Sequence, residues 1–290
     1  GVEEGAELFL GEDKGPGKRS GLEAFKEVDD VSIMAIPGVT IPAVQSALVA
    51  HCEALANRFA ILDMPYDTRS VDDMQTHRSY FDSNYGAIYH PWLQIYDQLL
   101  RTSGFFPPSA AMAGIYARTD NTRGVFKAPA NEVVRGCTGL SVNYNEAEQG
   151  KVNPKGINLI RSLPGQGIRV WGARTMSSDA SWKYINVRRL FIYVEESIRT
   201  NTSWAVFEPN DANLWMRVEG TIHMFLNTLW RSGALVGSSE DEAFFINIGP
   251  STMTQDDILN GRLICVIGIA PVRPAEFVIF RITQKMQELS

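Results

Sequence analysis

The 290-residue chain has few cysteines, no excess of positive charge and no long hydrophobic run. Its three cysteines, Cys52, Cys137 and Cys265, are far apart and form no CxxC or Cys/His cluster. This spacing predicts neither a zinc site nor a disulfide framework and favours a reducing compartment. The formal net charge of −6 argues against a nucleic-acid binder, which needs a basic face. No apolar run approaches the roughly 18 residues of a membrane helix, and no secretory signal is visible, so we expect neither nucleic acid nor a membrane as partner.

The composition, 44% hydrophobic and 21% charged, is typical of a globular protein with a real core. The first half alternates between apolar extended runs and segments with helical spacing of apolar residues. Strands are predicted at 31–38, 58–65 and 85–97, and helices at 42–57, 70–84 and 107–120. This alternation predicts an α/β fold with a largely parallel sheet. Residues 1–20 are glycine-rich and charged, and we expect them to be loosely ordered.

The second half is less regular at its start. Residues 136–167 are rich in Gly, Asn and Pro and predict short strands and loops, with a subdomain boundary near Pro164. Long helices are predicted at 179–200 and 210–233, and the first of these carries apolar residues on more than one side, which is typical of a helix covered on both faces. A strand, a short helix and two further strands complete the chain. The fold class is therefore α/β, with mixed sheets flanked by helices in two subdomains.

Candidates for enzyme chemistry are isolated. The stretch 11–21 (GEDKGPGKRSG) resembles a phosphate loop, but Glu12 and Arg19 stand where such a loop needs Gly and Ser or Thr, which favours a surface turn. Asp63 ends a predicted strand, where α/β folds place functional carboxylates, although such a residue also caps turns. Cys137 lies in a glycine-rich bend without an identifiable base. A cytosolic α/β hydrolase or nucleotide-binding enzyme that uses Asp63 or Cys137 is the alternative interpretation, and no cofactor or metal site is predicted.

Two further features concern interactions. Arg188 and Arg189 contact an acidic partner or belong to a solvated helix face, and the sequence leaves both alternatives open. At the end of the chain, Phe277, Ile279 and Arg281 alternate with Val278, Phe280 and Ile282. Both faces of this predicted strand are apolar or nearly so, as in a strand covered on both sides. An open apolar edge invites pairing with another chain, which favours assembly.

Several stretches resemble contractile tail sheath proteins of phages, R-type bacteriocins and related injection systems. They are GIYARTDNTRGVFKAPANE at 114–132, the segments 167–198 and 207–237, and GIAPVRPAEFVIFRITQ at 268–284. They occur in order over roughly residues 31–285. The resemblance implies a structural protein and no enzyme, with residues 1–30 as a connector, 31–163 as an outer subdomain and 164–290 as an inner subdomain ending in an arm strand.

The resemblance also implies the partners and contacts. Subunits polymerise with one another around an inner tube protein, contact baseplate and tail terminator proteins, and contract to drive the tube through a target envelope. The particle is assembled in the bacterial cytoplasm and is part of a virion or a released particle. The strand from Phe277 to Ile282 would pair with a neighbouring subunit. The short helix near the C-terminus, with Asp256, Asp257 and Arg262, would contact the tube, with Arg188 and Arg189 as second candidates. Family members carry an arm ahead of the core, and we expect it to be truncated or disordered here.

Overall fold

The structure of the protein, a computed structural model, describes residues 3–99 and 101–279. The helices in these ranges are α1 Glu3–Leu10, α2 Gly21–Ala24, α3 Pro42–Leu55, α4 Val71–Arg78, α5 Ser109–Arg123, α6 Glu146–Val152, α7 Ile185–Asn201, α8 Ala212–Arg231, α9 Glu240–Ala243 and α10 Gln255–Leu259. The strands are β1 Ile33–Ala35, β2 Phe59–Asp63, β3 Gly86–His90, β4 Leu93–Asp97, β5 Thr102–Phe106, β6 Cys137–Leu140, β7 Ile157–Leu163, β8 Gly167–Val170, β9 Phe244–Ile248 and β10 Cys265–Ile269.

The central sheet has the strand order β1-β2-β3-β7-β8. Its first four strands are parallel, and β8 returns antiparallel to β7 through a tight hairpin. Every residue of β2 and β3 is buried, as expected for parallel strands that carry helices on both faces. The predicted α/β class with a mixed sheet is confirmed.

Two apolar layers cover the central sheet. On one face, Leu48 of α3, Met74 of α4 and Val152 of α6 pack with residues of β2, β3 and β7. On the other face, Met112 of α5 and Ile185 of α7 pack with the opposite side chains of the same strands. A second sheet, with the antiparallel strand order β5-β4-β6, packs against this apolar layer through Leu93 of its central strand β4.

The C-terminal subdomain has a core of its own between α8 and the antiparallel pair β9–β10. The buried stripe of α8 repeats at helical spacing and consists of Leu214, Val218, Ile222, Leu226 and Leu229. The boundary that the sequence places near Pro164 lies in the turn between β7 and β8, and β8 is hydrogen-bonded into the central sheet. The structure therefore moves this boundary downstream, beyond Val170.

Helix α7 connects the two subdomains because it is covered on both faces, as predicted. Ile185 and Ile192 belong to the apolar layer on the central sheet. Leu190 and Val194 belong to the core of the C-terminal subdomain. One helix thus contributes to two cores, and the two subdomains are coupled through its packing.

The N-terminal segment and the 136–167 region are more regular than the sequence predicts. Residues 3–10 form α1, and an ion-pair cluster organises the loop after it: the Arg19 guanidinium contacts Asp13 at 2.9 Å and Glu27 at 2.5 Å. The expectation of loose order for residues 1–20 is therefore wrong for this described part. Helix α6 begins with a capping box between Asn145 and Glu148 that the glycine- and asparagine-rich context obscured.

Candidate functional site

Asp63 is a structural clamp at the carboxyl end of β2. Its Oδ1 accepts the backbone N–H of Ser109 at 2.7 Å, and its Oδ2 accepts the Ser109 hydroxyl at 2.7 Å and the Gly38 N–H at 3.0 Å. Ser109 is the first residue of α5, and Gly38 lies in the loop between β1 and α3. Burial raises the pKa of Asp63, while these three hydrogen bonds act in the opposite direction. The carboxylate therefore fixes two neighbouring segments to the end of β2.

Cys137 also has a local structural role. The thiol is half-buried, and its Sγ donates to the carbonyl of Gly139 at 3.1 Å. Burial raises the pKa of the Cys137 thiol, which disfavours the thiolate that a nucleophile requires. A cleft of about 840 Å³ is lined mainly by residues of α5 and α7 and contains neither Asp63 nor Cys137. The two residues of the enzyme alternative are thus apart from this cleft.

The loop at residues 11–21 uses its backbone donors internally. The N–H of Gly15 donates to Asp13 at 3.0 Å, and the N–H of Gly17 donates to Glu27 at 2.8 Å. A phosphate loop directs such N–H groups at its ligand. Here two of them are directed at carboxylates of the protein itself, while Lys18 points into solvent as an exposed residue. The geometry agrees with the surface turn favoured by the sequence.

Arg188 and Arg189 are both buried in the interior of the molecule. The Arg188 guanidinium lies 3.7 Å from the ring centroid of Trp182 and 4.5 Å from that of Tyr85. Its Nη1 also donates a hydrogen bond to the Tyr85 hydroxyl at 3.2 Å. The structure corrects both interpretations of this residue, because a guanidinium stacked between two rings is neither a tube contact nor a solvated surface group.

Arg189 pairs with α5 instead of solvent. Its Nη1 and Nη2 donate to the two carboxylate oxygens of Asp120 at 2.9 and 2.6 Å. The guanidinium also lies 4.8 Å from the ring centroid of Tyr116. A bidentate pair of this kind fixes α7 against α5. The expectation that Arg189 faces a partner is corrected in the same way as that for Arg188.

The short predicted helix near the C-terminus is present as α10. Thr254 and Asp257 form its capping box. Arg262 follows the helix and donates to Asp257 at 2.9 Å and to Asp256 at 3.0 Å. The side chains of Asp256 and Arg262 are exposed, as is Leu259. The three predicted charged residues thus form one surface cluster, and its contact with a tube remains a prediction.

The chain after β10 ends, within the described residues, in an exposed apolar triplet. The residues Phe277, Val278 and Ile279 are 68, 70 and 82% exposed. They belong to no strand of this chain's own sheets within the described ranges. The other residues of the predicted strand, Phe280, Arg281 and Ile282, lie outside the described residues. Contiguous exposed apolar side chains of this kind mark a surface for a partner.

The pair β9–β10 offers a complementary surface. In the described ranges it is a two-stranded sheet, which is marginal without further cover. One face packs against α8, and the other exposes Phe245 and Val266. The missing side chain of Gly268 leaves room for the Phe245 ring, because a Cβ there would lie 2.1 Å from the ring. The sheet therefore presents backbone edges and an apolar face to another strand.

Metal and membrane features are not found in the part of the chain that the structure describes. No group of three or more His, Cys, Asp or Glu side chains in 3–99 and 101–279 is arranged to hold a metal ion. In the same ranges, no helix combines the length and apolarity needed to span a bilayer. The surfaces that remain to be explained are the exposed apolar triplet, the β9–β10 sheet and α10.

A fold that leaves strand surfaces unpaired within the described residues is suited to assembly, and family comparison identifies the class. The phage tail sheath protein central domain matches residues 12–176, and the phage tail sheath C-terminal domain matches residues 177–285. The chain belongs to the phage tail sheath family. The resemblance of the sequence motifs to contractile sheath proteins is thereby confirmed.

Individual relatives extend this assignment. The chain is 26% identical to a prophage major tail sheath protein of Pseudomonas aeruginosa (strain UCBPP-PA14), over 96% of this chain and 72% of the relative. It is 24% identical to the tail sheath protein of Escherichia phage P2, over 77% of this chain and 58% of that protein.

Solved structures agree. The sheath complex of the extracellular contractile injection system PVC, in its contracted state, is 37% identical with a TM-score of 0.82, over 90% of this chain and 73% of that chain. A chain in the baseplate of the anti-feeding prophage AFP is 37% identical with a TM-score of 0.78, over 90% of this chain and 71% of that chain.

Sequence reasoning missed one polar cluster next to the exposed triplet. Glu276 accepts hydrogen bonds from Asn153, Arg174 and Tyr184. We call these four residues the anchor cluster. The sequence shows only that Glu276 is a single carboxylate between Pro274 and an apolar run. The identity of its partners was not readable, because they lie 92 to 123 residues earlier in the chain.

Proposed function

We propose that copies of this chain polymerise around an inner tube and contract to drive that tube through a target cell envelope. Membership in the sheath family supports this proposal, and so do the sheath and baseplate structures of contractile particles that the chain resembles. The observation that carries the proposal for this chain is the exposed triplet Phe277–Ile279, which follows a firmly held Glu276 and belongs to no sheet of its own subunit in the described ranges.

The segment from Phe277 to Ile282, which we call the arm, pairs with a neighbouring subunit as an added strand. Its alternating side chains are apolar on both sides apart from Arg281. The two-stranded β9–β10 sheet of the neighbour, with the exposed Phe245 and Val266, is the acceptor. Strand addition uses backbone hydrogen bonds, so the connection survives the large rotations of subunits that contraction requires.

The inner tube contacts α10 through Asp256, Asp257 and Arg262. A sheath subunit must hold the tube before contraction and release it afterwards, which favours a modest polar contact over a large apolar one. The exposed charges of Asp256 and Arg262 satisfy that requirement. Baseplate and tail terminator proteins complete the set of partners, and assembly takes place in the bacterial cytoplasm before the particle is packaged or released.

The test of strand addition is a proline at Ile279. Proline lacks the backbone N–H and clashes with the neighbouring strand, so the Ile279→Pro variant is expected to remain a soluble, cooperatively melting monomer that forms no sheath. Ile279→Ala is the matched control, because it removes the side chain but keeps the donor, and it should still polymerise. Negative-stain microscopy and sedimentation measure the polymer, and calorimetry measures the fold.

The outcomes separate the possibilities. Normal tubes from the Ile279→Pro variant would show that this backbone does not enter a neighbour's sheet. A variant that fails to melt cooperatively would show that the arm belongs to the core of its own subunit. Either result contradicts the proposed strand addition.

A further inference from the structure

The carboxylate of Glu276 is held by groups on three separate segments. Its Oε1 accepts the Asn153 Nδ2 at 2.6 Å and the Arg174 Nε at 2.8 Å. Its Oε2 accepts the Arg174 Nη2 at 2.7 Å and the Tyr184 hydroxyl at 3.1 Å. The side chains of Arg174 and Glu276 are only 11 and 17% exposed. Both oxygens are therefore fully engaged within the subunit, and the guanidinium binds in the bidentate geometry that is the strongest form of this pair.

The groups that hold Glu276 are themselves fixed. The backbone N–H of Arg174 donates to the Asn158 Oδ1 at 2.8 Å, and the Asn158 Nδ2 donates back to the Arg174 carbonyl at 2.8 Å. Asn158 lies in β7 of the central sheet and is fully buried. Arg174 also forms an isolated β-bridge with Tyr184, directly before α7. The anchor cluster is thus attached to the central sheet and not to the subdomain that contains β10.

The chain reaches this cluster by crossing between subdomains. Just after β10, the Ala270 carbonyl accepts the Val236 N–H at 2.9 Å and the Val272 N–H donates to Ala234 at 3.2 Å, so this stretch is still part of the C-terminal subdomain. Four residues later, Glu276 is bound to the other subdomain. The next residue, Phe277, is already 68% exposed. The exposed Phe277 thus directly follows a residue whose side chain is held by the anchor cluster.

We propose that Glu276 is a positioning residue for strand addition: its anchor cluster fixes the point and the direction at which the arm leaves the subunit. This inference rests on the proposed strand addition and adds the residue that controls it. Because side chains alternate between the two faces of a strand, a shift of one residue in pairing would exchange those faces. A fixed first residue sets that register. It also removes conformational freedom that a loose segment would lose on pairing.

The charge state of Glu276 supports a permanent anchor at neutral pH. Burial alone would raise the pKa of Glu276, but hydrogen bonds from Arg174, Asn153 and Tyr184 outweigh it, and the pKa lies below its ordinary value. The carboxylate therefore remains ionised and opposite Arg174 under physiological conditions. In this way the root of the arm stays fixed while residues beyond it follow the neighbouring subunit.

The anchor is tested first in the monomer with a protease that cleaves after glutamate. Cleavage after Glu276 is slow in the native chain, since the bond must leave the cluster to enter a protease. In Arg174→Gln the same bond should be cleaved about 10- to 100-fold faster, as expected when charge-assisted hydrogen bonds are lost. The matched control is Arg199→Gln, which removes the exposed pair of Arg199 with Glu196 on α7 and should leave cleavage after Glu276 unchanged.

Polymerisation is the second readout, because it separates positioning from simple stability. Arg174→Gln and Glu276→Gln should melt as folded monomers yet need about 10- to 100-fold higher concentration to form sheath. The charge exchange Arg174→Glu with Glu276→Arg should recover part of that loss, which a role in folding alone would not predict. If both single variants polymerise at the native concentration while Ile279→Pro does not, strand addition stands and the anchor inference is wrong. If Ile279→Pro polymerises as well, the proposed strand addition by the arm is wrong.

Discussion

Buried polar side chains fix neighbouring elements to one another, and Asp63 shows this most directly. Replacing Asp63 with alanine would leave the N–H groups of Gly38 and Ser109 and the Ser109 hydroxyl without their acceptor. Each unsatisfied buried group destabilises by about 1–3 kcal/mol. We expect Asp63→Ala to lower the free energy of unfolding by about 3–5 kcal/mol, measured by denaturant titration. Asp67→Ala, at an exposed position four residues on, is the control and should change it by less than about 0.5 kcal/mol.

The lowered pKa of the buried His90 predicts how the stability of the fold depends on pH. Burial lowers the pKa of His90 to about 4, and burial also lowers the pKa values of His51 and His77. The unfolded chain takes up a proton near pH 6.5, whereas folded His90 does not until much lower pH. Because the unfolded state binds more protons, stability falls as pH falls through this window. His90 alone should reduce the free energy of unfolding by about 2 kcal/mol between pH 7 and 5.

The variant His90→Gln tests this assignment. Glutamine has no proton to gain and has polar atoms that can replace the contact of the His90 Nε2 with the Tyr144 hydroxyl, 3.0 Å in the native chain. Its stability profile between pH 7 and 5 should be flatter than that of the native protein. Equal slopes for the two proteins in urea titrations would show that His90 titrates normally in the folded state.

At the scale of elements, the sequence predicts the helices and strands that carry strong periodicity. Helices α3 and α8, predicted at 42–57 and 210–233, could be found because their apolar residues repeat at helical spacing. Helix α6 was missed although Asn145 and Glu148 have the spacing of a capping box. Local signals suffice where one segment determines its own structure.

The roles of Arg188 and Arg189 were not predictable in the same way. Their neighbours Tyr85 and Asp120 lie 103 and 69 residues earlier in the chain, and only the packing of α7 between two cores brings them together. The prediction that α7 is covered on both faces already implied that charged residues on it need internal partners. The sequence could not name those partners, since long-range contacts leave no periodic signal.

Helix α10 carries the prediction about the tube. Reversing the charge in Arg262→Glu places a third carboxylate beside Asp256 and Asp257, and should weaken binding of sheath subunits to purified tubes. The effect should be largest at low salt, because exposed charges are screened as ionic strength rises. Arg231→Glu, an exposed charge reversal on α8, is the matched control. Co-sedimentation over a range of salt concentrations measures the difference, and equal binding by all three proteins would argue against α10 as the contact.

For the whole molecule, the resemblance of several motifs predicted the family and the mixed α/β fold, which no single motif specified. It did not predict where the subunit ends as a folded body and where the arm begins. That limit depends on the anchor cluster, which combines Asn153, Arg174 and Tyr184 with a residue near the C-terminus. Pairing of residues this far apart follows from the complete fold and not from the local pattern around Glu276.

Two truncations locate that limit. Removing residues 278–290 keeps the anchor cluster, so we expect a soluble monomer that melts like the full chain but forms no sheath. Removing residues 274–290 also removes Glu276 and leaves the largely buried Arg174 without its carboxylate. Breaking such a pair from one side destabilises by about 2–4 kcal/mol, which corresponds to a melting temperature lower by roughly 5–10 °C. Calorimetry measures the melting temperature of both truncated chains. If the chain that lacks only residues 278–290 is unfolded, the arm stabilises its own subunit, and the boundary between core and arm does not lie at Glu276.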